Sequence, residues 1–126
     1  MAMYTLQVTS EFSAAHHLRG YEGRCARPHG HNYRVVVEVC ATELDAVGLA
    51  VDYYAVKALL GAVIDVWDHR DLNTLPPFDT INPSAEHMAA HLYRTLSAAP
   101  LFSDVVSLRS VTLWECDDFC VRYTED

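Results

Sequence analysis

Two runs of strictly alternating side chains restrict the fold of this chain more than any other feature. In residues 4–14 the apolar side chains fall on every second position, and residues 31–41 repeat the pattern. Successive side chains of a strand point to opposite faces, so each run predicts a half-buried β-strand. The face of the second strand that carries Tyr33, Val35 and Val37 also carries His31.

The middle of the chain changes to a helical period. Between residues 53 and 67 apolar side chains recur at i, i+4, i+7, i+8 and i+11, which predicts an amphipathic helix with Asp52 as its N-cap. A second helical stripe runs from Ala85 to Leu96 and stops before Pro100. Asn82 and Pro83 are predicted to be the N-cap and first residue of that helix.

Two closing strands are predicted at residues 106–115 and 119–124, joined by a turn at Asp117 and Asp118. The order β-β-α-α-β-β predicts an α+β domain, with an antiparallel sheet and both helices on one face. Val36 and Cys40 lie on the other face, which is therefore not cleanly polar. A partner subunit is expected to cover it.

Length and charge narrow the possible functions. The 126 residues suit a single domain, residues 1–126, and the net charge of -8 at pH 7 argues against a nucleic-acid or membrane-surface binder. No apolar run approaches the ~20 residues of a membrane span. The first residues have no features of a signal peptide, so we expect a cytoplasmic protein with reduced thiols.

A cluster of histidines predicts a metal centre. His29 and His31 are at i and i+2, which places both on one side of an extended segment. A third imidazole from the pair His16-His17 would complete a three-histidine zinc site with an open fourth position. Cys25 could be a fourth ligand that closes the site, or a nucleophile or base favoured by the cation and by nearby arginines.

Other candidate residues lie further along the chain. Asp68-His69 could form a general-base unit, although a solvated loop pair has the same pattern. Glu115 follows Val111 and Leu113 on an apolar stripe, so it is either a strand-end residue that reaches solvent or a buried acceptor for paired N–H donors. The helical pair His87 and His91 is interpreted as exposed polar surface.

Three arginines, Arg19, Arg24 and Arg27, lie close to the histidines in the sequence. One interpretation is that they are simply the solvated edge of a loop. In an acidic protein they could also form a local positive mouth that suits a phosphorylated substrate.

The residues resemble a known family, the 6-pyruvoyl-tetrahydropterin synthase superfamily, and most closely its bacterial 6-carboxytetrahydropterin synthase branch in queuosine biosynthesis. The matching segments run in order over nearly the whole chain: FSAAHHL (12–18), C-x3-H-G-H (25–31), VDYYAVK (51–57), DHRDLN (68–73), NPSAEHMA (82–89) and LWEC (113–116). The three residues between cysteine and H-G-H are typical of the carboxy branch.

The resemblance implies a fold and a site. The fold is a T-fold (tunnelling fold), in which a four-stranded antiparallel sheet has two helices on one face. The protein is expected to form a homo-oligomer, a hexamer in the family, with active sites between subunits. Zinc would be bound by His16, His29 and His31, and not by His17. The resemblance also implies roles for further residues: Cys25 as the catalytic base, Asp68 and His69 as an acid/base dyad, and Glu115 as the pterin anchor. The two arginines expected to contact the triphosphate are Arg24 and Arg27.

The implied reaction converts 7,8-dihydroneopterin triphosphate to 6-carboxy-5,6,7,8-tetrahydropterin, with release of acetaldehyde and triphosphate. Two alternatives stay open. One is a 6-pyruvoyl-tetrahydropterin synthase, which eliminates triphosphate without releasing acetaldehyde. The other is a non-catalytic, zinc-stabilised pterin-binding module in which Cys25 is the fourth ligand.

Overall fold

One mixed sheet carries two helices on its apolar face. The computed structural model describes residues 2–126, and the sheet order is β3-β1-β2-β4-β5. The elements are β1 (Tyr4–His16), β2 (His29–Ala41), α1 (Tyr53–Trp67), β3 (Arg70–Asp71), α2 (Ala85–Ser97), β4 (Val106–Cys116) and β5 (Phe119–Tyr123), with 3-10 helices at Arg24–Ala26 and Leu72–Thr74.

The register between β1 and β2 builds the centre of the core. The strands are antiparallel, and Phe12 lies opposite Tyr33 with their rings stacked 4.8 Å apart. Val35 and Val37 continue the buried face of β2. The predicted alternation is therefore confirmed, and it extends the same face to the histidines at the ends of both strands.

The two helices are confirmed, with one change at a helix start. Asp52 caps α1 as predicted, since its side chain accepts a hydrogen bond from the Tyr54 N–H. The prediction of Asn82 as the N-cap of α2 is wrong, because Ser84 caps the helix by accepting from the His87 N–H. The Asn82 side chain instead exchanges two hydrogen bonds of 2.9 Å with the main chain of Arg19.

The sheet has one strand more than predicted. The four predicted strands are present, and the additional strand β3 comes from the long connection between α1 and α2. It pairs in parallel with β1, with Arg70 opposite Ala14 and Asp71 opposite Ala15. Two residues with exposed, charged side chains show no alternation, so no sequence pattern marks a strand of this length.

The sheet face away from the helices is mainly polar. Glu38 accepts hydrogen bonds from the Ser110 hydroxyl at 2.8 Å and from Arg122 at 2.7 Å. The Arg34 guanidinium lies 5.3 Å from the centre of the Trp114 ring. Several polar side chains of this face therefore have partners within the chain. That a partner subunit covers the face stays a prediction.

The cysteines and the apolar segments can be compared directly with the structure. None of the cysteines forms a disulfide bond. Among residues 2–126, no helix combines the length and apolar character needed to cross a membrane.

The prediction that His91 is exposed polar surface is wrong. Its ring lies 5.8 Å from the rings of both Trp67 and Phe78, at the contact between α2 and the end of α1. Burial lowers the pKa of His91 below its usual value of 6.5. His87, on the preceding turn, is exposed as predicted.

The environment of His91 makes stability depend on pH. Because the folded protein favours the neutral imidazole, the contribution of His91 to stability is complete above pH 6.5 and falls as the pH decreases below that value. We expect metal-free wild-type protein to lose more unfolding free energy between pH 7 and pH 5 than His91→Phe, measured by urea denaturation. Equal losses in the two proteins would contradict this prediction.

Candidate metal centre and active site

Three imidazoles meet where β1 ends and β2 begins. His16 lies opposite His29 in the register, and His31 lies opposite Ala14 on the same face. One ring nitrogen from each histidine lies within 4.8 Å of the other two. Two strands thus bring together residues that are up to fifteen positions apart in sequence, and the predicted trio is the one that converges.

Main-chain carbonyls orient two of the rings. The Nδ1 atom of His16 lies 2.7 Å from the Pro83 carbonyl oxygen, and Nδ1 of His29 lies 2.7 Å from the Arg27 carbonyl oxygen. A carbonyl can only accept, so each Nδ1 carries the proton and each Nε2 keeps a free lone pair. This is how second-shell groups prepare metal-binding histidines.

Burial also favours the neutral form of the clustered histidines, which is the form that binds a metal cation. His16 is only 3% exposed, and burial is the main cause that lowers its pKa. Burial likewise lowers the pKa of His31, although the Glu115 carboxylate opposes it. Neutral imidazoles are metal ligands, and three of them with an open fourth position fit zinc. The donor set therefore fits the metal that the sequence predicts.

Cys25 is close to this centre in sequence but is not a member of the ligand cluster, which the three histidines form alone within residues 2–126. It lies half-buried in the 3-10 helix Arg24–Ala26. Its carbonyl accepts a 2.7 Å hydrogen bond from the Leu18 N–H, which holds this loop against the end of β1. The arrangement favours an open metal site over one closed by the thiolate.

Glu115 reaches the centre from β4. Its Oε1 atom lies 3.8 Å from Nε2 of His16, and its side chain is 27% exposed. Beneath it, the Tyr33 hydroxyl is buried with no hydrogen-bond partner among residues 2–126. Burial, followed by the charge of Glu115, raises the pKa of Tyr33, so this hydroxyl stays protonated. Sequence analysis placed Tyr33 in the core and missed its position below the metal centre.

Asp68 and His69 form a pair at the outer edge of β1. The carboxylate Oδ1 of Asp68 lies 3.0 Å from Nδ1 of His69 and accepts a 2.9 Å hydrogen bond from the Ser13 N–H. The Ser13 N–H is the main cause that lowers the pKa of Asp68, followed by the bond to His69. The carboxylate is therefore held ionised beside the imidazole.

The backbone of His69 is in an uncommon conformation. Its φ is +59°, in the left-handed region that side chains other than glycine rarely adopt. The Ser13 carbonyl accepts from the His69 N–H and fixes this conformation. The side chain is 81% exposed as a result. Unfavourable backbone conformations that the surrounding structure enforces are concentrated at functional sites.

In the described part of the chain, the pair makes no direct hydrogen bond to the metal-binding cluster. Within residues 2–126 it has no hydrogen bond to the three histidines or to Cys25. Instead, His69 lines an open cavity of about 460 Å³ whose walls also include His31, Asn32 and Arg70. The structure therefore brings Glu115 to within 3.8 Å of His16, whereas the Asp68-His69 pair reaches the cluster only through the cavity that His69 shares with His31.

The three predicted arginines differ in their surroundings. Arg24 and Arg27 are exposed on the loop before β2, and the carbonyl of Arg27 lies 2.7 Å from Nδ1 of His29. Arg19 is used within the fold, since its guanidinium donates to the carbonyls of Phe78 at 2.6 Å, Asn73 at 3.3 Å and Ile81 at 3.3 Å. It therefore holds the long connection in place and is not a free cation for a substrate.

The metal centre predicts which variants lose zinc. We expect His16→Ala, His29→Ala and His31→Ala to lose most of the bound zinc, because each removes one of three ligands. His17→Ala is the matched control, since it deletes an adjacent imidazole outside the cluster, and Cys25→Ala should also keep zinc. Metal analysis of the purified variants gives the result; zinc loss in Cys25→Ala with retention in His29→Ala would contradict the assignment.

Comparison with known proteins places the chain in a family. A family model described as 6-pyruvoyl tetrahydropterin synthase matches residues 5–126. A "Probable 6-carboxy-5,6,7,8-tetrahydropterin synthase" of Halobacterium salinarum is 36% identical over 119 residues, covering 82% of this chain and 75% of the relative. A 6-carboxy-5,6,7,8-tetrahydropterin synthase of Synechocystis is 31% identical over 126 residues, covering 96% and 93%.

A solved structure gives the same result for the fold. The Caenorhabditis elegans 6-pyruvoyl tetrahydropterin synthase superimposes with a TM-score of 0.84 at 27% identity, covering 100% of this chain and 98% of that one. The predicted α+β T-fold is therefore confirmed, with the short strand β3 as an addition. Fold, histidine cluster and family match agree, and the chain belongs to the 6-pyruvoyl tetrahydropterin synthase family.

Proposed function

We propose that this protein converts 7,8-dihydroneopterin triphosphate and water to 6-carboxy-5,6,7,8-tetrahydropterin, acetaldehyde and triphosphate. The observation that carries the proposal is the three-histidine cluster with a carboxylate 3.8 Å from one of its ligand nitrogens. Relatives named 6-carboxy-5,6,7,8-tetrahydropterin synthase, at 36% and 31% identity, support the product. The reaction would belong to queuosine biosynthesis in the cytoplasm.

His16, His29 and His31 would hold the zinc ion. When bound, zinc supplies a Lewis acid that polarises side-chain oxygens of the substrate and makes their protons easier to remove. The carbonyls of Pro83 and Arg27 keep two of the imidazoles in the tautomer that leaves Nε2 free. Burial keeps His16 neutral and ready to bind.

Proton transfer would be carried by two groups. Cys25 would act as a base close to the substrate side chain, since it lies four residues before His29 and does not belong to the ligand cluster. Asp68, held ionised by the Ser13 N–H, would orient His69 and stabilise its protonated form while His69 moves a second proton.

Glu115 would hold the pterin ring. An ionised carboxylate offers two acceptor oxygens, which match the amino group and ring N–H of a pterin. Its half-buried position at the end of β4 puts such a ring next to the metal ligands. Arg24 and Arg27, exposed near the same mouth, would attract the triphosphate.

The active form would be a homo-oligomer, a hexamer as in the family, with each site shared between subunits. The Asp68-His69 pair has no hydrogen bond to the metal ligands of its own chain within residues 2–126. In an oligomer the same pair could face the metal centre of a neighbouring subunit. That arrangement would also explain why His69 is directed outward.

Two alternatives make different predictions. A 6-pyruvoyl-tetrahydropterin synthase is favoured by the match to the nematode enzyme at 27% identity, and it would release triphosphate without acetaldehyde. A zinc-stabilised binding module needs Cys25 as a fourth ligand, and it would unfold on chelation. The absence of Cys25 from the ligand cluster weighs against the module.

Product analysis is the test of the proposed reaction. Incubation of zinc-loaded protein with 7,8-dihydroneopterin triphosphate should yield equal amounts of acetaldehyde, triphosphate and the carboxy product. Cys25→Ala is the control, and it should keep zinc while turnover falls by ~10²–10⁴-fold. Triphosphate release without acetaldehyde would support the pyruvoyl synthase, and no turnover with wild-type protein would support the binding module.

The pterin anchor predicts a binding defect in Glu115→Gln. The substitution replaces an acceptor oxygen by an N–H donor that would face a donor of the ring, so pterin affinity should fall by ~10–100-fold, the equivalent of about 1.5–3 kcal/mol for a hydrogen bond to a charged group. Zinc content should not change. Glu86→Gln is the matched control, since Glu86 is exposed in the first turn of α2. Wild-type affinity in Glu115→Gln with a loss in Glu86→Gln would move the anchor to Glu86.

A further inference from the structure

Half of the eight arginines of the chain have a partner within the fold. Arg19 binds carbonyls of the long connection, Arg34 packs on Trp114, Arg94 pairs with Glu125 and Arg122 pairs with Glu38. Within residues 2–126, the guanidinium groups without a hydrogen bond, ion pair or ring contact are those of Arg24, Arg27, Arg70 and Arg109. A cation that binds substrate has to come from this second set.

Arg70 is distinguished from the other three by its surroundings. It is the residue after His69, and β3 fixes its backbone against Ala14. Both side chains line the same open cavity of about 460 Å³, to which His31 also contributes. The remaining arginines lie elsewhere, with Arg24 and Arg27 on the loop that precedes β2 and Arg109 in another cavity.

The cavity around Arg70 offers N–H donors, and one carboxylate, that of Asp71, also lines it. Asn32 lines it, and its carbonyl oxygen already accepts from the Ser13 hydroxyl at 2.7 Å, so its amide N–H groups are free to donate. Asp71, the carboxylate of this cavity, accepts from the Asn73 N–H at 3.0 Å. A guanidinium beside neutral donors is a site for phosphate oxygens, which it can bind in a bidentate manner.

We propose that Arg70 binds the phosphate chain of the substrate and thereby places it against His69. The inference rests on the proposed function, and it adds a specific contact to the general attraction assigned to Arg24 and Arg27. It holds whichever subunit supplies the metal centre, because Arg70 and His69 are consecutive residues that line one cavity and must enter the same active site together.

The test compares the removal of charge at two arginines that have no partner among residues 2–126, Arg70 and Arg109. Inorganic triphosphate is titrated by calorimetry into zinc-loaded wild-type protein, Arg70→Gln, Arg70→Lys and Arg109→Gln, and phosphate-free 7,8-dihydroneopterin is titrated in parallel. Arg109 is the matched control, since it is exposed and unpaired but lines a different cavity. Zinc content of each variant confirms that the metal centre is intact.

We expect Arg70→Gln to weaken triphosphate binding by ~10–100-fold, the loss of a charge-assisted contact, and to leave dihydroneopterin binding within about twofold. Arg70→Lys should recover part of the affinity, because it restores the charge but not the bidentate geometry. Triphosphate affinity in Arg70→Gln equal to that of Arg109→Gln would overturn the inference, as would an equal loss for the phosphate-free pterin.

The calorimetry needs no turnover, so failure of the proposed reaction is separate. If wild-type protein binds triphosphate through Arg70 but releases no acetaldehyde, the carboxy reaction fails and the phosphate contact stands. If wild-type protein makes acetaldehyde and Arg70→Gln binds triphosphate normally, the reaction stands and the contact is elsewhere.

Discussion

The pairing register of β1 and β2 is the constraint on which the site depends. Side chains alternate along a strand, so a slip of one residue would move His29 and His31 to the other face of the sheet and away from His16. The same register stacks Phe12 on Tyr33 directly below the histidines. Core packing therefore fixes the geometry of the metal centre: a slip that destroyed the site would also expose Tyr33, Val35, Val37 and Val39, which are fully buried.

The strand β1 organises the site on two sides. Its core face presents His16, while its outer edge at Ser13 holds Asp68 through the N–H and His69 through the carbonyl. Both bonds are main-chain bonds on the side of Ser13, so the position of the pair depends on the path of the strand and not on the serine side chain. The left-handed conformation of His69 is enforced there by rigid structure. The side chain proposed to transfer a proton is thereby exposed, while its backbone is held by β1.

Periodicity predicted the long elements because each of them buries one face. The bounds of α1, Tyr53–Trp67, match the predicted helix, since Asp52 gives a start signal and the apolar stripe is continuous. The short strand β3 could not be predicted, because two exposed residues carry no period. Asn82 and Ser84 are both good N-caps, and the choice depended on a distant contact with Arg19. His91 was misjudged for a related reason: Trp67 and Phe78 approach it only after the chain folds. The histidine cluster was predictable from spacing and family resemblance, whereas the outward direction of His69 was not.

The acidic composition of the chain is compatible with the anionic substrate proposed above, because the effect of exposed charges is local. A net charge of -8 would repel a polyphosphate if all charges acted together, but exposed charges more than about 8–10 Å apart are largely screened at physiological ionic strength. An anionic substrate of the kind proposed would therefore respond mainly to the charges near its proposed site, which include Arg24, Arg27 and Arg70, all without a partner among residues 2–126. Arg19, close to Arg24 and Arg27 in sequence, instead donates to the carbonyls of Asn73 and Phe78 in the connection that follows the Asp68-His69 pair. The fold thus uses one cation to hold this connection and leaves Arg24, Arg27 and Arg70 without a partner among residues 2–126, and these three are the arginines proposed to attract or bind the phosphate chain.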